Sequence, residues 1–159
     1  LQRSKQSLAS NTTNVYCRLQ ISPFEGAKRF PRIISMNRVP PRILVVEDNE
    51  ASRRGLRQLL SNAGYTVLTA STFDEGKQAV ADGAPDLLIA DVRLGKFNGL
   101  HLVAAAPNAL PSIIVSGFPD PVIEAEALRL GAHYVTKPID LPRLLRTVER
   151  NAAALQGAA

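Results

Sequence analysis

The sequence holds one cysteine, Cys17, in 159 residues, so no internal disulfide can brace the fold. A lone cysteine is compatible with a reducing compartment. No apolar run approaches the roughly 18 residues that a membrane-spanning helix needs. The first residues lack the apolar core of a secretory signal. The two histidines, His101 and His133, stand apart from cysteines and from suitable acids. Neither reads as a metal ligand or a catalytic base, and both are expected to be structural or surface residues. The remaining composition is that of an ordinary globular domain, 45% hydrophobic and 21% charged.

The formal charge of +5 points at first to nucleic acid. Its distribution removes that implication. Residues 1–42 hold eight Lys/Arg and one acid, Glu25, a net of +7. Residues 43–159 hold the other eleven bases and thirteen acids, a net of −2. The basicity therefore belongs to the leading segment, and no nucleic-acid partner is expected. Residues 1–40 show no sustained period and read as a mostly disordered basic extension. Met36 lies just before the first strong strand, so two accounts stand open. Either the natural chain starts at Met36, or the extension is a real flexible arm.

From residue 41 to 157 the pattern is regular. "RILVVED" reads as a strand. "EASRRGLRQLLSNAG" places Leu56, Leu59, Leu60 and Ala63 at helical spacing before Gly64. "YTVLTA" is a strand. "TFDEGKQAVADG" pairs Thr72 with Glu75 as a capping box. Strand "PDLLIAD", helix "GLHLVAAA" and strand "SIIVSG" follow. Helix "DPVIEAEALRLGA" has Pro121 in its first turn and Gly131 at its end. Strand "YVTKP" and helix "DLPRLLRTVERNAAAL" close the run. Five strand–helix repeats with mainly apolar strands predict an α/β fold. The form expected is an open, doubly wound, five-stranded parallel sheet with helices on both faces.

In such a sheet, ligands bind beyond the carboxyl ends of the strands, where the strand order reverses. With the order 2-1-3-4-5, strands one and three are neighbours there. Glu47 and Asp48 end the first strand and Asp91 ends the third. Ser116 and Gly117 end the fourth, and Lys137 ends the fifth, before Pro138. Three clustered carboxylates repel unless a cation sits among them. An all-oxygen set suits Mg²⁺. A carboxylate beside Mg²⁺ and a lysine can act as the nucleophile of phosphoryl transfer.

The motifs "VVEDN", "LLIADVRLGKFNGL", "IIVSGF" and "GAHYVTKPID" occur in the order and spacing of one family. Residues 42–155 resemble the receiver domain of two-component response regulators, of the single-domain chemotaxis type with its flavodoxin-like fold. The resemblance implies that Asp91 is the phosphoacceptor. It implies that Asp48 ligates Mg²⁺ directly, that Glu47 helps bind it, and that the Arg93 backbone carbonyl is a further ligand. Lys137, Ser116 and Gly117 would contact the phosphoryl group. Ser116 would be the switch hydroxyl and Tyr134 the switch aromatic. Arg93 and Phe118 would tune dephosphorylation. The implied partners are a sensor histidine kinase or phosphotransfer protein and a downstream protein target. A homodimer through the last two helices and the fifth strand is a further implied contact. The implied setting is the cytoplasm, with no membrane contact. The implied role is that of a signalling phosphoacceptor rather than an enzyme.

Two positions depart from the family's pattern. Gly95 stands where proline is common, and Asn98 stands where aspartate is common. Neither removes a reacting group, and the expected consequence is a more flexible loop. Three other readings are weighed beside the main one. A phosphorylation-independent interaction module would have no use for the full set Glu47, Asp48, Asp91, Ser116 and Lys137. An acid-dependent phosphohydrolase would need a carboxylate at position 93, where this chain has Arg93. The third is a receiver fragment of a longer transcriptional regulator. It stays open, although "NAAALQGAA" reads as a natural tail.

Overall fold

The structure is a computed structural model and describes residues 39–106 and 110–157. Nearly all of the basic extension, with Cys17 and Met36, lies outside the described residues. The elements in chain order are β1 (Arg42–Val46), α1 (Glu50–Asn62), β2 (Thr66–Ala70), α2 (Phe73–Gly83) and β3 (Leu87–Asp91). A hairpin of β4 (Arg93–Leu94) and β5 (Phe97–Asn98) follows. Then come α3 (Leu100–Ala105), β6 (Ser112–Ser116), α4 (Pro121–Arg129), β7 (His133–Thr136) and α5 (Leu141–Gly157). Five strands form one parallel sheet in the order β2-β1-β3-β6-β7, which is the doubly wound 2-1-3-4-5 order expected.

Alternation along the central strands explains why helices cover both faces. Ile43, Val45, Leu87, Ile89, Ile113 and Val115 pack against Leu56 and Leu60 of α1 and Leu144 and Val148 of α5. The intervening residues Leu44, Val46, Leu88, Ala90 and Ile114 pack against Val80 of α2, Leu102 and Val103 of α3, and Ala127 of α4. A strand apolar on successive residues is thus a strand with two buried faces. Each such side chain contributes about 1.5–3 kcal/mol when fully buried.

The caps set where each helix begins. Asn49 accepts a hydrogen bond from the Ser52 amide at the head of α1. At α2, Thr72 accepts from the Glu75 amide, as the capping box requires. The return bond differs from that motif. Glu75 Oε2 accepts from the Ser71 amide and hydroxyl, one residue before the cap. Asp120 caps α4 through the amides of Val122 and Ile123. β7 ends at Thr136, so Lys137 follows the strand rather than closing it, and His133 is the strand's first residue. The Lys137–Pro138 peptide is cis.

The β4–β5 hairpin was not expected. Gly95 turns it with φ of +61°, a conformation that glycine adopts without a steric cost. The Phe97 ring stacks on Phe73 with centroids 4.6 Å apart, and Asn98 Oδ1 accepts from the Leu100 amide. At Gly99, the backbone passes so close to β3 that a Cβ would lie 2.1 Å from the Asp91 carbonyl oxygen. Gly99→Ala should therefore push the loop off β3 and cost about 1–3 kcal/mol. Gly55→Ala, in an exposed stretch of α1 with no atom within 4 Å of its Cβ, should add about 0.5–1 kcal/mol. Urea unfolding of both variants checks the pair of opposite signs.

Candidate phosphoryl-transfer site

The carboxyl ends of β1, β3 and β6 bring the expected residues to one edge of the sheet. Register places Val46 beside Ala90 and Asp91 beside Val115. Glu47 therefore leaves β1 next to the end of β3. Glu47 is 2% exposed and Asp91 8% exposed. Two acids this deeply buried need a counter-charge. Lys137 provides it. Its Nζ donates to Glu47 Oε2 at 2.8 Å and also to Asp91 Oδ2. The lysine's own amide donates to the Ser116 carbonyl at 2.7 Å, which ties the β7–α5 connection to β6. The second oxygen of Asp91, Oδ1, accepts from the Arg93 amide at 2.7 Å.

The charges respond to this arrangement. Burial pushes the Glu47 carboxyl above its ordinary range, and the nearby Asp91 adds to the effect. The Lys137 hydrogen bond opposes it but does not cancel it. For Lys137, burial disfavours the ammonium, but the bonds to Asp91 and Glu47 outweigh it and raise its pKa above the usual lysine value. The lysine is therefore charged throughout the physiological range.

Asp48 is exposed, unlike its two acidic neighbours. Among the described residues, no three His, Cys, Asp or Glu side chains form a group that could by itself hold a metal ion. The donor chemistry nonetheless fits Mg²⁺, which takes one or two carboxylates and fills its octahedron with water and other oxygens. Asp48, Asp91 and the Arg93 carbonyl are the oxygens that would hold it.

Ser116 is buried at the end of β6, and its hydroxyl donates to the Phe118 carbonyl at 2.6 Å. Tyr134, half-buried in β7, donates from its hydroxyl to the same carbonyl at 3.1 Å and accepts from the Asp120 amide. Arg93 opens β4 and Phe118 lies in the loop after β6, and the two meet, with the guanidinium carbon 5.3 Å from the ring centroid. Gly117 is exposed beside them. The structure thus brings together Glu47, Asp91 and Lys137 directly, and Ser116, Phe118, Tyr134 and Arg93 in an adjoining group. His101 instead packs edge-on to Phe73 and joins neither group.

Sequence reasoning missed one residue here. Arg53 Nη1 donates to the Glu47 carbonyl at 2.7 Å and to the Asp48 carbonyl at 3.2 Å. The available signal was spacing. A basic side chain four residues after the N-cap Asn49 lies on the same helix face and can reach back over the loop.

The raised Glu47 pKa predicts a pH effect with a definite sign. An acid whose folded pKa exceeds its unfolded value binds protons more readily when folded. Its ionisation therefore removes stability as pH rises from the unfolded pKa, near 4.5, through the higher folded value. Glu47→Gln should flatten that part of the profile. Melting temperatures of both proteins in EDTA from acid to neutral pH check this; parallel profiles contradict it.

Comparison with known proteins agrees with the geometry. The response regulator receiver domain family matches residues 43–149. The transcriptional regulatory protein KdpE of Mycobacterium tuberculosis is 36% identical over 121 residues, which cover 72% of this chain and 54% of that protein. The DNA-binding transcriptional regulator NtrC of Azospirillum brasilense is 38% identical over 112 residues, 68% of this chain and 23% of that protein. The chain thus spans about half or less of the length of these relatives. Among solved structures, a CheY-like receiver domain protein of Methanospirillum hungatei aligns with a TM-score of 0.72 at 26% identity, over 76% of this chain and all of that one. The family match spans most of the chain and coincides with the sheet whose edge carries Glu47, Asp91 and Lys137, so the chain belongs to the response regulator receiver family.

Proposed function

We propose that the chain is a phosphorylatable receiver that takes a phosphoryl group on Asp91. The observation that carries this reading is the doubly held, nearly buried Asp91 carboxylate, bonded by the Arg93 amide and by Lys137. The donor is a phosphohistidine of a sensor kinase or a phosphotransfer protein. An Asp91 carboxylate oxygen attacks phosphorus; the O–P bond forms as the N–P bond breaks, and the electron pair returns to the histidine ring. Lys137 moves from carboxylate counter-ion to phosphoryl contact, and the Gly117 amide and Ser116 hydroxyl are the remaining donors. Mg²⁺, when bound, would neutralise charge on the phosphoryl oxygens. Asp48, Asp91 and the Arg93 carbonyl would hold it, and Glu47 would reach it through water. The receiver promotes its own phosphorylation and the slow hydrolysis of its aspartyl phosphate by water, which releases inorganic phosphate and restores the Asp91 carboxylate; in this reading it is a signalling protein rather than an enzyme and works in the cytoplasm.

The output face in this reading is built from α4, β7 and α5. Tyr134 there lines a cleft of about 500 Å³ with Arg143, Arg146 and Arg150. Release of Ser116 toward the phosphoryl group frees Tyr134 to turn, which reshapes that cleft for a protein target or a second copy of the chain. A second reading is favoured by the lengths of the relatives. Because the chain spans 54% of KdpE and 23% of NtrC, it is equally suited to be the receiver portion of a longer DNA-binding regulator. Sequencing the native transcript beyond Ala159 decides between them.

Asp91→Asn should fold normally and take no label from acetyl phosphate with Mg²⁺, as read by intact-protein mass. Labelling at the wild-type level would remove Asp91 as acceptor. A further outcome concerns lifetime. The Arg93–Phe118 pair joins β4 to the loop after β6, and neither side chain can orient an attacking water as a carboxylate or amide would. An exposed cation–π contact contributes about 0.5–1 kcal/mol. Arg93→Asn and Phe118→Ala should therefore each speed decay of the phosphoprotein about two- to fivefold. Unchanged decay in both variants would show that the pair does not shield the site.

A further inference from the structure

Glu47 and Asp48 occupy a short break between two regular elements. β1 ends at Val46 and α1 begins at Glu50. Carbonyl groups in such a break have left the sheet ladder and have not entered the helix. They need donors from elsewhere. No backbone amide among the described residues reaches the carbonyl of Glu47 or of Asp48. Arg53 fills both needs from one nitrogen, at 2.7 and 3.2 Å. The arginine is itself well anchored, since its amide donates to the Asn49 carbonyl at 2.9 Å. Asn49 in turn caps the helix and donates its amide to Glu47 Oε1 at 3.2 Å. The first turn of α1 therefore grips the main chain of the acidic loop.

The two acids differ in how much they depend on that grip. Glu47 is held by Lys137 as well. Asp48 is exposed and joins none of the four salt bridges among the described residues. The direction of its carboxylate is set by main-chain torsions, and Arg53 holds the two peptide carbonyls that define those torsions. Removing the guanidinium leaves both carbonyls without a protein donor and lets the peptides rotate.

From this we infer that Arg53 is a positioning residue for the cation site, acting through the backbone of Glu47 and Asp48 rather than touching the ion. The inference rests on the Mg²⁺-dependent function proposed above and adds a residue to it. Arg54 is a natural control. It is the next residue on the same helix, its side chain is 78% exposed, and its one ion pair is with Glu50.

The test is a Mg²⁺ titration followed by amide NMR, with thermal melts in EDTA, for wild type, Arg53→Ala, Arg53→Lys, Arg54→Ala and Asp48→Ala. Loss of a group that orients a metal ligand typically weakens metal binding about 10- to 100-fold. Arg53→Ala should show that loss, with shifted amide signals at residues 47–49 in the metal-free protein. Arg53→Lys should recover part of the affinity, because an ammonium can still donate to a carbonyl. Arg54→Ala should match wild type. If Arg53→Ala does not fold, Arg53→Lys decides. It should bind more weakly than wild type at an unchanged metal-free melting temperature, and wild-type affinity there overturns the inference. Wild-type affinity in Arg53→Ala, or an equal loss in Arg54→Ala, overturns it too. A wild-type protein whose Mg²⁺ binding is absent or indifferent to Asp48→Ala would sink the proposed function instead.

Discussion

One ammonium group holds the site together. Lys137 bonds to Glu47 and to Asp91, two acids from different strands that are both nearly buried. Without a cation, their mutual repulsion in a poorly solvated pocket would cost several kcal/mol. The lysine reaches them because its backbone is pinned to the end of β6 through the Ser116 carbonyl. The same contact places Ser116 and Lys137 side by side on the edge. The site is therefore a balance of charge first and a set of reacting groups second. The balance also explains the opposite tendencies of the two partners. Glu47 resists ionisation because it is buried near another acid, while Lys137 gains from both acids and stays charged.

The fold tolerates this cost because the strands beneath the site are buried on both faces. Ile43 to Val46, Leu87 to Ala90 and Ile113 to Val115 are all at most 1% exposed. At about 1.5–3 kcal/mol for each large apolar side chain, a handful of these outweighs the penalty of two paired acids. Their periodicity also fixes direction. A one-residue slip in β3 would swap its two apolar faces and carry Asp91 off the edge. The residues that form the core are in this sense the ones that aim the carboxylate.

How much of this was legible in the sequence follows from the length scale of each signal. Runs such as Ile43–Val46 and Leu87–Asp91 are long enough, and apolar enough, to declare strands covered on two sides. The acids Glu47, Asp48 and Asp91 that follow or end them stand out against that background, as does Lys137 just after β7, so these four positions are readable from residue order alone. The β4–β5 hairpin is not, because two residues in each strand carry no period. Gly95 and Asn98 are visible only as departures, whereas in the fold one turns the hairpin and the other caps its exit through the Leu100 amide. The helix end at Ala84, left-handed with φ of 39°, is hidden for a similar reason, since the residue is not a glycine. Arg53 escapes notice because its partners are backbone carbonyls, which no residue type announces.

The Phe118 carbonyl gives the proposed switch its scale. It accepts from Ser116 Oγ at 2.6 Å and from the Tyr134 hydroxyl at 3.1 Å, while the Phe118 ring lies under Arg93. Two hydroxyls on one acceptor are linked, because each lone pair that one uses constrains the other. A hydrogen bond between neutral groups contributes about 0.5–1.5 kcal/mol net, and one to a charged group about 1.5–3. Ser116 thus gains on the order of 1 kcal/mol by leaving a carbonyl for a phosphoryl oxygen. A gain of that size changes the ratio of two conformers roughly fivefold. In the proposed switch, such a gain would bias an equilibrium between two conformers and would not drive it to completion. Completion needs a second favourable contact, and Tyr134 is placed to supply it. Once Ser116 departs, the ring is held at the loop only by the Phe118 carbonyl and the 3.3 Å bond from the Asp120 amide. A partner that packs against the turned ring then adds its own binding energy to the bias. In the proposed switch, phosphorylation and partner binding would favour the same conformer, so each would strengthen the other.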